Sequence, residues 1–438
     1  MIWNKVKFLS NRMLVISILL LPLSVQGKIY VDGHQAGSQY LAYPVNDSNA
    51  PQLSAAPAGY VPFHIEHYGR HGSRWRLKMK DYTEPVELLQ KAQKDGKLTP
   101  RGETLLEQLT IIADDANNRT GELTPLGHRQ HREIAARMAR NFPEIFNNST
   151  LLDAKSTVVI RCILSMANEM AEFQKLFPGM KINMDASYTT QKTLAYNSTD
   201  TVAKKISRGA KHHVEDYAAS LPKPEAFFEK LFTDRQYVAD SIGEQKIFDA
   251  IFDVAVNMQS HDDYPEIFDV FTAEELNNEW LARNADWYIS AGNTPLTNNR
   301  VPYNQRVLLK NIIESADTAM NSPHISANLR FGHESILLPL SVLMELGNSA
   351  YETTDLTTLA DNWRNYEIFP MGSNIQMIFY RPKKAKKLSE DDVLVKVLLN
   401  EAEVSLPGEP TVGNYYSWKN LKEYYLNKLD DFSVKFAE

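Results

Sequence analysis

Read for alternating apolar and polar positions, the chain divides into three textures. Tyr60 to His67 reads as a strand that runs straight into Tyr68-Gly69-Arg70-His71-Gly72-Ser73-Arg74. Residues 84–115 carry helical periodicity twice, hinged at Leu98-Thr99-Pro100. Thr124-Pro125 opens another helix, with a capping hydroxyl, a proline at the first helical position and an amphipathic run to Phe142. Thr157–Arg161 reads as a short apolar strand leading into a helix from about Ser165 to Leu176. Lys181–Met184 reads as a third strand.

Between about residues 188 and 320 the strand signals vanish, and the sequence turns helical, polar and rich in Asn, Asp and aromatics. Strand texture returns at Ile325–Phe331. A helix over Glu334–Leu346 follows, then strands over Ile375–Arg381 and Val393–Leu399, and a last helix from about Ser417. This alternation predicts an α/β fold, a mostly parallel sheet flanked by helices in a Rossmann-like core, with an inserted all-helical cap. The predicted division is residues 28–187 and 321–438 for the core and 188–320 for the cap. Ligands of such sheets sit beyond the carboxyl ends of the strands.

Residues 1–27 stand apart. A basic stretch to Arg12 precedes the apolar run Met13–Val25, which closes at Val25-Gln26-Gly27. This is the pattern of a secretory signal cleaved near Gly27, and the run is short for a membrane span, which needs ~20 residues. Export normally invites disulfides, yet Cys162 is the single cysteine, so no internal disulfide can form. The expectation is a secreted or periplasmic enzyme that has no membrane attachment after cleavage.

Composition narrows the ligand. The 438 residues are 43% hydrophobic and 23% charged, with a formal net charge of −7, and the signal-like segment holds bases but no acid. Such a chain is globular rather than disordered. It is a poor general nucleic-acid binder, because that affinity rests on many Lys and Arg contacts. An anionic ligand must therefore be drawn in by a local basic pocket.

Arg70-His71-Gly72-Ser73-Arg74 is the first candidate for that pocket. Two guanidiniums offer fixed forks of donors that match phosphate oxygens, and a neutral imidazole between them is placed to attack phosphorus. Phe331-Gly332-His333-Glu334-Ser335 is the second, at a strand end and helix start where free N–H groups favour an anion. There His333 is a candidate phosphate donor and Glu334 a candidate general acid. Arg161 is a third guanidinium for the same phosphate. Arg76, Lys78 and Lys80 extend the basic run after Arg74. Lys204, Lys205, Arg208, Lys211, His212 and His213 form a second basic cluster, in the helical insertion.

In that order these pieces resemble the histidine acid phosphatases, the larger branch of the histidine phosphatase superfamily, which includes phytases and multiple inositol polyphosphate phosphatases. The residues that carry the resemblance are Arg70-His71-Gly72-Ser73-Arg74, Leu123-Thr124-Pro125-Leu126-Gly127, Val159-Ile160-Arg161-Cys162 and Phe331-Gly332-His333-Glu334. The resemblance implies an α/β core with a helical cap and no metal or other cofactor. It implies a phosphohistidine on His71, with Arg70, Arg74, Arg161 and His333 binding the transferring phosphoryl group. Glu334 would protonate the leaving alkoxide and then help activate water. The substrate class would be small phosphate esters, inositol polyphosphates such as phytate foremost, with Arg76, Lys78, Lys204, Lys205 and Arg208 as contacts for outer phosphates.

This chain departs from the family at the proton donor. Many members have His-Asp, and the inositol polyphosphate group has His-Ala-Glu. Here His333-Glu334-Ser335 combines the glutamate of one with the spacing of the other. Three alternatives stay open on the sequence. They are a general acid or sugar phosphatase, a phosphate-ligand binding protein without turnover, and a metal-dependent hydrolase built on His64, His67 and His71. Against the last, His64 and His67 point to opposite faces of a strand.

Overall fold

The computed structural model describes residues 28–46, 51–196, 200–264, 266–321, 326–385 and 388–436, and the signal-peptide reading of residues 1–27 lies outside them. Among the described residues, no helix is long and apolar enough to cross a membrane.

The sheet begins with β1 (Tyr60–Arg70), three residues longer than its apolar run suggests, because pairing with its neighbours continues through Arg70. Helices α1 (Lys80–Lys94), α2 (Pro100–Ala116) and α3 (Pro125–Asn141) follow. α2 and α3 start alike: the hydroxyls of Thr99 and Thr124 accept the backbone N–H of Gly102 and Gly127, with proline at the first helical position.

The next two elements correct the sequence reading. β2 is Leu151–Ser156, ahead of the apolar run, and α4 (Ile160–Leu176) has already begun at Arg161. β2 alternates half-buried Leu151, Asp153 and Lys155 with buried Leu152, Ala154 and Ser156, so its charges hide it from a search for apolar runs. Arg161 thus lies in the first turn of a helix, not at a strand end.

After β3 (Lys181–Asp185) come helices α5 (Thr201–Gly209), α6 (Lys211–Ser220), α7 (Glu225–Leu231), α8 (Glu244–Met258), α9 (Ala273–Ala291) and α10 (Arg306–Asn321). No strand interrupts them among the described residues. Phe227 of α7 and Phe248 and Ile251 of α8 share an apolar cluster with Leu89 of α1 and Leu105 of α2. Leu309 and Ile313 of α10 join the cluster that covers one face of the sheet.

The chain then returns to the sheet with β4 (Ala327–Gly332), α11 (Glu334–Leu343), β5 (Asn374–Pro382), β6 (Leu394–Leu399), the short β7 (Ala402–Glu403) and β8 (Tyr416–Ser417), and α12 (Trp418–Asp430). The strand order is β3-β2-β4-β1-β5-β6-β7, with β8 on β6. β3, β2, β4 and β1 are parallel, β5 is antiparallel to β1, and β6 is antiparallel to β5 and so rejoins the parallel set. The fold is α/β, with a mixed sheet of mostly parallel strands. Helices cover both faces. In β6, Val395, Val397 and Leu399 pack toward the side of α10 and α11, and Leu394 and Leu398 toward α3 and α4.

Register matters most where β1 meets β4. Arg70 pairs with Gly332, and on the other side of β4 Ser156 of β2 pairs with Phe331, so three strand ends line up. A buried ion pair supports this junction: Arg330 Nη1 lies 2.5 Å from Glu66 Oε2, and Asn328 donates to Glu66 Oε1 at 2.7 Å. Removing one partner of a buried pair strands the other charge, at a cost of ~3–5 kcal/mol. Glu66→Ala is therefore expected to lower the unfolding free energy by that amount in urea denaturation. A loss below ~1 kcal/mol, the scale of an exposed pair, would contradict this.

Candidate active site

The turn after β1 is shaped by a close crossing of two backbones. A Cβ on Gly72 would stand 2.6 Å from the carbonyl oxygen of Gly127, and one on Gly127 would collide with the carbonyl oxygen of Ser73. Only glycine fits on either side. This explains the end of the Leu123-Thr124-Pro125-Leu126-Gly127 stretch: the first turn of α3 is a seat for the histidine loop. Gln130 of α3 adds to it, accepting from the Ser73 N–H at 2.8 Å and donating to the Ser73 hydroxyl at 3.0 Å.

His71 is fully buried. Its Nδ1 lies 3.0 Å from the carbonyl oxygen of Gly72, which can only accept, so Nδ1 carries the proton and Nε2 keeps a lone pair. Burial pushes its ionisation well below the ordinary imidazole range, with Arg70 and Arg74 reinforcing the shift against Glu334. Nε2 is buried and, among the described residues, makes no well-aligned hydrogen bond, with Glu334 Oε2 standing 3.4 Å away. An unprotonated imidazole nitrogen is the state a nucleophile needs.

Guanidiniums surround it. Arg70 Nη1 donates to the carbonyls of Gln39 (2.6 Å) and Phe369 (2.8 Å), and its Nε lies 3.1 Å from Glu334 Oε2. Arg74 Nη1 donates to the carbonyl of Trp75 at 3.0 Å, and its guanidinium lies over the Tyr40 ring. Arg161 Nη2 lies 3.3 Å from His333 Nδ1. Each of the three keeps a buried nitrogen without a partner: Arg70 Nη2, Arg74 Nε and Arg161 Nε. Buried donors of this kind suit an anionic ligand.

His333 caps α11. Its Nε2 faces the Thr157 hydroxyl at 3.3 Å, and its ring meets His71 edge-on with centroids 5.6 Å apart. Burial, offset by Glu334 and reinforced by Arg161, brings its ionisation down to about 4, so it is a neutral donor above that pH. Glu334 Oε2 lies 3.4 Å from His71 Nε2. The carboxyl at the position next to His333 therefore reaches His71. Burial works against the charge on Glu334, but Arg70 holds its carboxyl well below the usual range, so it stands as a carboxylate. Three guanidiniums against one carboxylate leave the pocket two charges positive, which suits a phosphate dianion.

Sequence reasoning missed several supports. Ser165 accepts the Gly72 N–H at 3.2 Å, Thr157 faces His333, and the Tyr68 hydroxyl fills the space a side chain on Gly332 would need. Only Gly332 itself gave a sign of this crowding. Cys162 donates to the Gly332 carbonyl at 3.2 Å, and burial pushes its thiol up to about 12, so it is no second nucleophile.

The outer basic residues do not all join the pocket. Arg76, expected to touch substrate, has its guanidinium taken by Asp81 (3.2 Å) and Asp253 (2.6 Å), because α8 packs against the loop. Lys78 and Lys80 are exposed, and Lys80 pairs with Glu84. Lys204 and Arg208 line a cavity of about 270 Å³ with Lys211, apart from His71 and His333. Lys205 is exposed, and the His212 and His213 rings lie against each other. His64 bonds to Glu66 and His67 packs on Phe331, so neither converges on His71. His71, His333 and Glu334 do bring ligand-type atoms within 4.8 Å of one another, but three neighbouring guanidiniums disfavour a dication there.

Residues 69–400 match the histidine phosphatase superfamily, branch 2. The chain belongs to that family. Its fold is similar to the apo structure of a multiple inositol polyphosphate phosphatase from Bifidobacterium longum, with TM-score 0.69 and 19% identity over 90% of this chain and 97% of that one. A phytase from D. castellii aligns with TM-score 0.66 and 13% identity, covering 92% and 87%. A Hafnia alvei phytase in complex with myo-inositol hexakis sulphate aligns with TM-score 0.52 and 13% identity, covering 85% and 98%.

A charge-assisted hydrogen bond contributes ~1.5–3 kcal/mol, and about 1.4 kcal/mol is tenfold in affinity. Arg161→Ala is thus expected to weaken inorganic phosphate binding about tenfold or more by calorimetry. Binding should also take up a proton, because the incoming anion raises the low ionisation of Glu334. Affinity then falls as pH rises. Affinity independent of pH and of Arg161 would contradict this assignment.

Proposed function

We propose that this phosphatase-family chain is a secreted phosphomonoester hydrolase that works through a phosphohistidine and acts on inositol polyphosphates such as phytate. The observation that carries the reading is a buried His71, 3.4 Å from Glu334 through Nε2 and in a pocket where Arg70, Arg74 and Arg161 each keep a buried nitrogen with no hydrogen bond among the described residues. In the first step Nε2 attacks phosphorus, the P–Nε2 bond forms and the ester P–O bond breaks. Arg70, Arg74, Arg161 and His333 hold the phosphoryl oxygens. The leaving alkoxide takes its proton from Glu334. In the second step Glu334, now a carboxylate, takes a proton from water as the water attacks phosphorus, and phosphate leaves His71.

Because Arg70 holds Glu334 ionised, the proton for the leaving group arrives with the substrate or from acidic solution. That supports an acidic optimum. The inositol polyphosphate class rests on likeness to relatives named as a multiple inositol polyphosphate phosphatase and a phytase. Export rests on the signal-like segment before Lys28.

Phosphate release from phytate and from an aryl phosphate near pH 5, with and without chelator, tests the reading. Chelator-resistant release from phytate is the expected result, and His71→Ala should abolish it. Glu334→Gln should slow phytate by about a hundredfold or more and the aryl ester far less, since a phenolate needs little protonation. Release from the aryl ester alone would replace the substrate class with a general phosphatase. Equal losses on both esters would remove Glu334 from the role of acid.

A further inference from the structure

His333 is flanked by an aromatic ring that the reaction above does not use. Tyr196 stacks on the imidazole with ring centroids 5.3 Å apart and planes 26° from parallel. Its backbone is unusual. The Tyr196 N–H donates to the Gln191 carbonyl and the Ala195 N–H to the Lys192 carbonyl, the pair of bonds that ends a helical turn on a left-handed residue. That residue is Ala195, buried at φ +50°, where glycine is usual. A non-glycine residue stays in this conformation when its surroundings hold it there.

The surroundings here are the loop that serves the active site. Gln191 donates to the carbonyls of Ser187 (2.8 Å) and Ser156 (3.3 Å) and accepts the Val158 N–H at 3.3 Å. Between Ser156 and Val158 lies Thr157, which faces His333 Nε2, and Arg161 in the next turn faces Nδ1. Gln191 therefore ties the Tyr196 segment to the loop that carries Thr157, and Tyr196, Thr157 and Arg161 all face a single imidazole.

We infer that Tyr196 is a positioning residue for His333, its ring holding the imidazole plane toward the phosphate pocket and shielding that face from water. This rests on the phosphatase reading of the site. The charged and titratable groups facing His333 are Arg70, His71 and Arg74 from the end of β1, and Tyr68 within it. Arg161 and Cys162 face it from α4, Glu334 from its own helix, and Tyr196 from the segment after β3. Burial is the largest cause holding His333 near 4. Removing the ring admits water and moves the titration up, toward the ordinary imidazole value.

The test uses the full chain with Tyr196→Phe and Tyr196→Ala, each checked for folding by thermal denaturation. It follows steady-state turnover of an aryl phosphate and the NMR titration of His333, assigned with His333→Asn. Tyr196→Ala is expected to lower kcat about tenfold or more, to leave KM within about threefold, and to move the His333 midpoint upward by about one pH unit. Tyr196→Phe keeps the stack and should retain wild-type values for all three. A folded Tyr196→Ala protein with unchanged kcat and midpoint would overturn the inference, as would Phe behaving like Ala. Wild-type inactivity would overturn the phosphatase reading instead, leaving the titration to decide the role of Tyr196.

Discussion

A neutral imidazole has to be kept among buried guanidiniums, and most of the architecture around His71 follows from that requirement. Burial disfavours protonation of the ring, and the cations disfavour it further. The remaining proton must sit on Nδ1, because only then does Nε2 face the pocket with its lone pair. The Gly72 carbonyl fixes that choice at 3.0 Å, and the tight turn that presents this carbonyl depends on the glycine-to-glycine crossing with α3. The cations in turn need holding without an acid to neutralise them. Arg70 is held largely by the backbone carbonyls of Gln39 and Phe369, which bind a guanidinium while leaving its charge available.

Glu334 is the exception, and its place gives the site its proton economy. It pairs with Arg70 and faces His71 Nε2 across 3.4 Å, so its carboxylate lies inside the pocket. A phosphate dianion competes for the same guanidiniums and thereby favours the acid form of Glu334. The anion that needs a proton donor helps to create one. Glu334 makes both contacts from the position next to His333.

Much of this was legible in the residues. The Arg70–Arg74 pentapeptide, the Thr124-Pro125 helix start and the Gly332-His333-Glu334 strand end all announce themselves locally, and the structure brings the first and third together through the β1–β4 register. What stayed hidden was long-range or masked by charge. β2 escaped notice because Asp153 and Lys155 face outward in it. Arg76 looked free because its partner Asp253 is far away in sequence. The Glu66–Arg330 pair and the stacking of Tyr196 on His333 join segments that carry no local signal of each other. The helical stretch from 188 to 320 was recognisable as helical, but its apolar faces are shared with α1, α2 and the sheet, which no periodicity reveals.

In the proposed mechanism phosphorus passes first to His71 and only then to water. The stereochemical course decides between this route and direct hydrolysis, using a phosphate ester made chiral at phosphorus with oxygen isotopes. Two in-line displacements invert twice, so net retention is expected. Net inversion would mean that water attacks the ester directly, and would remove His71 from the role of nucleophile.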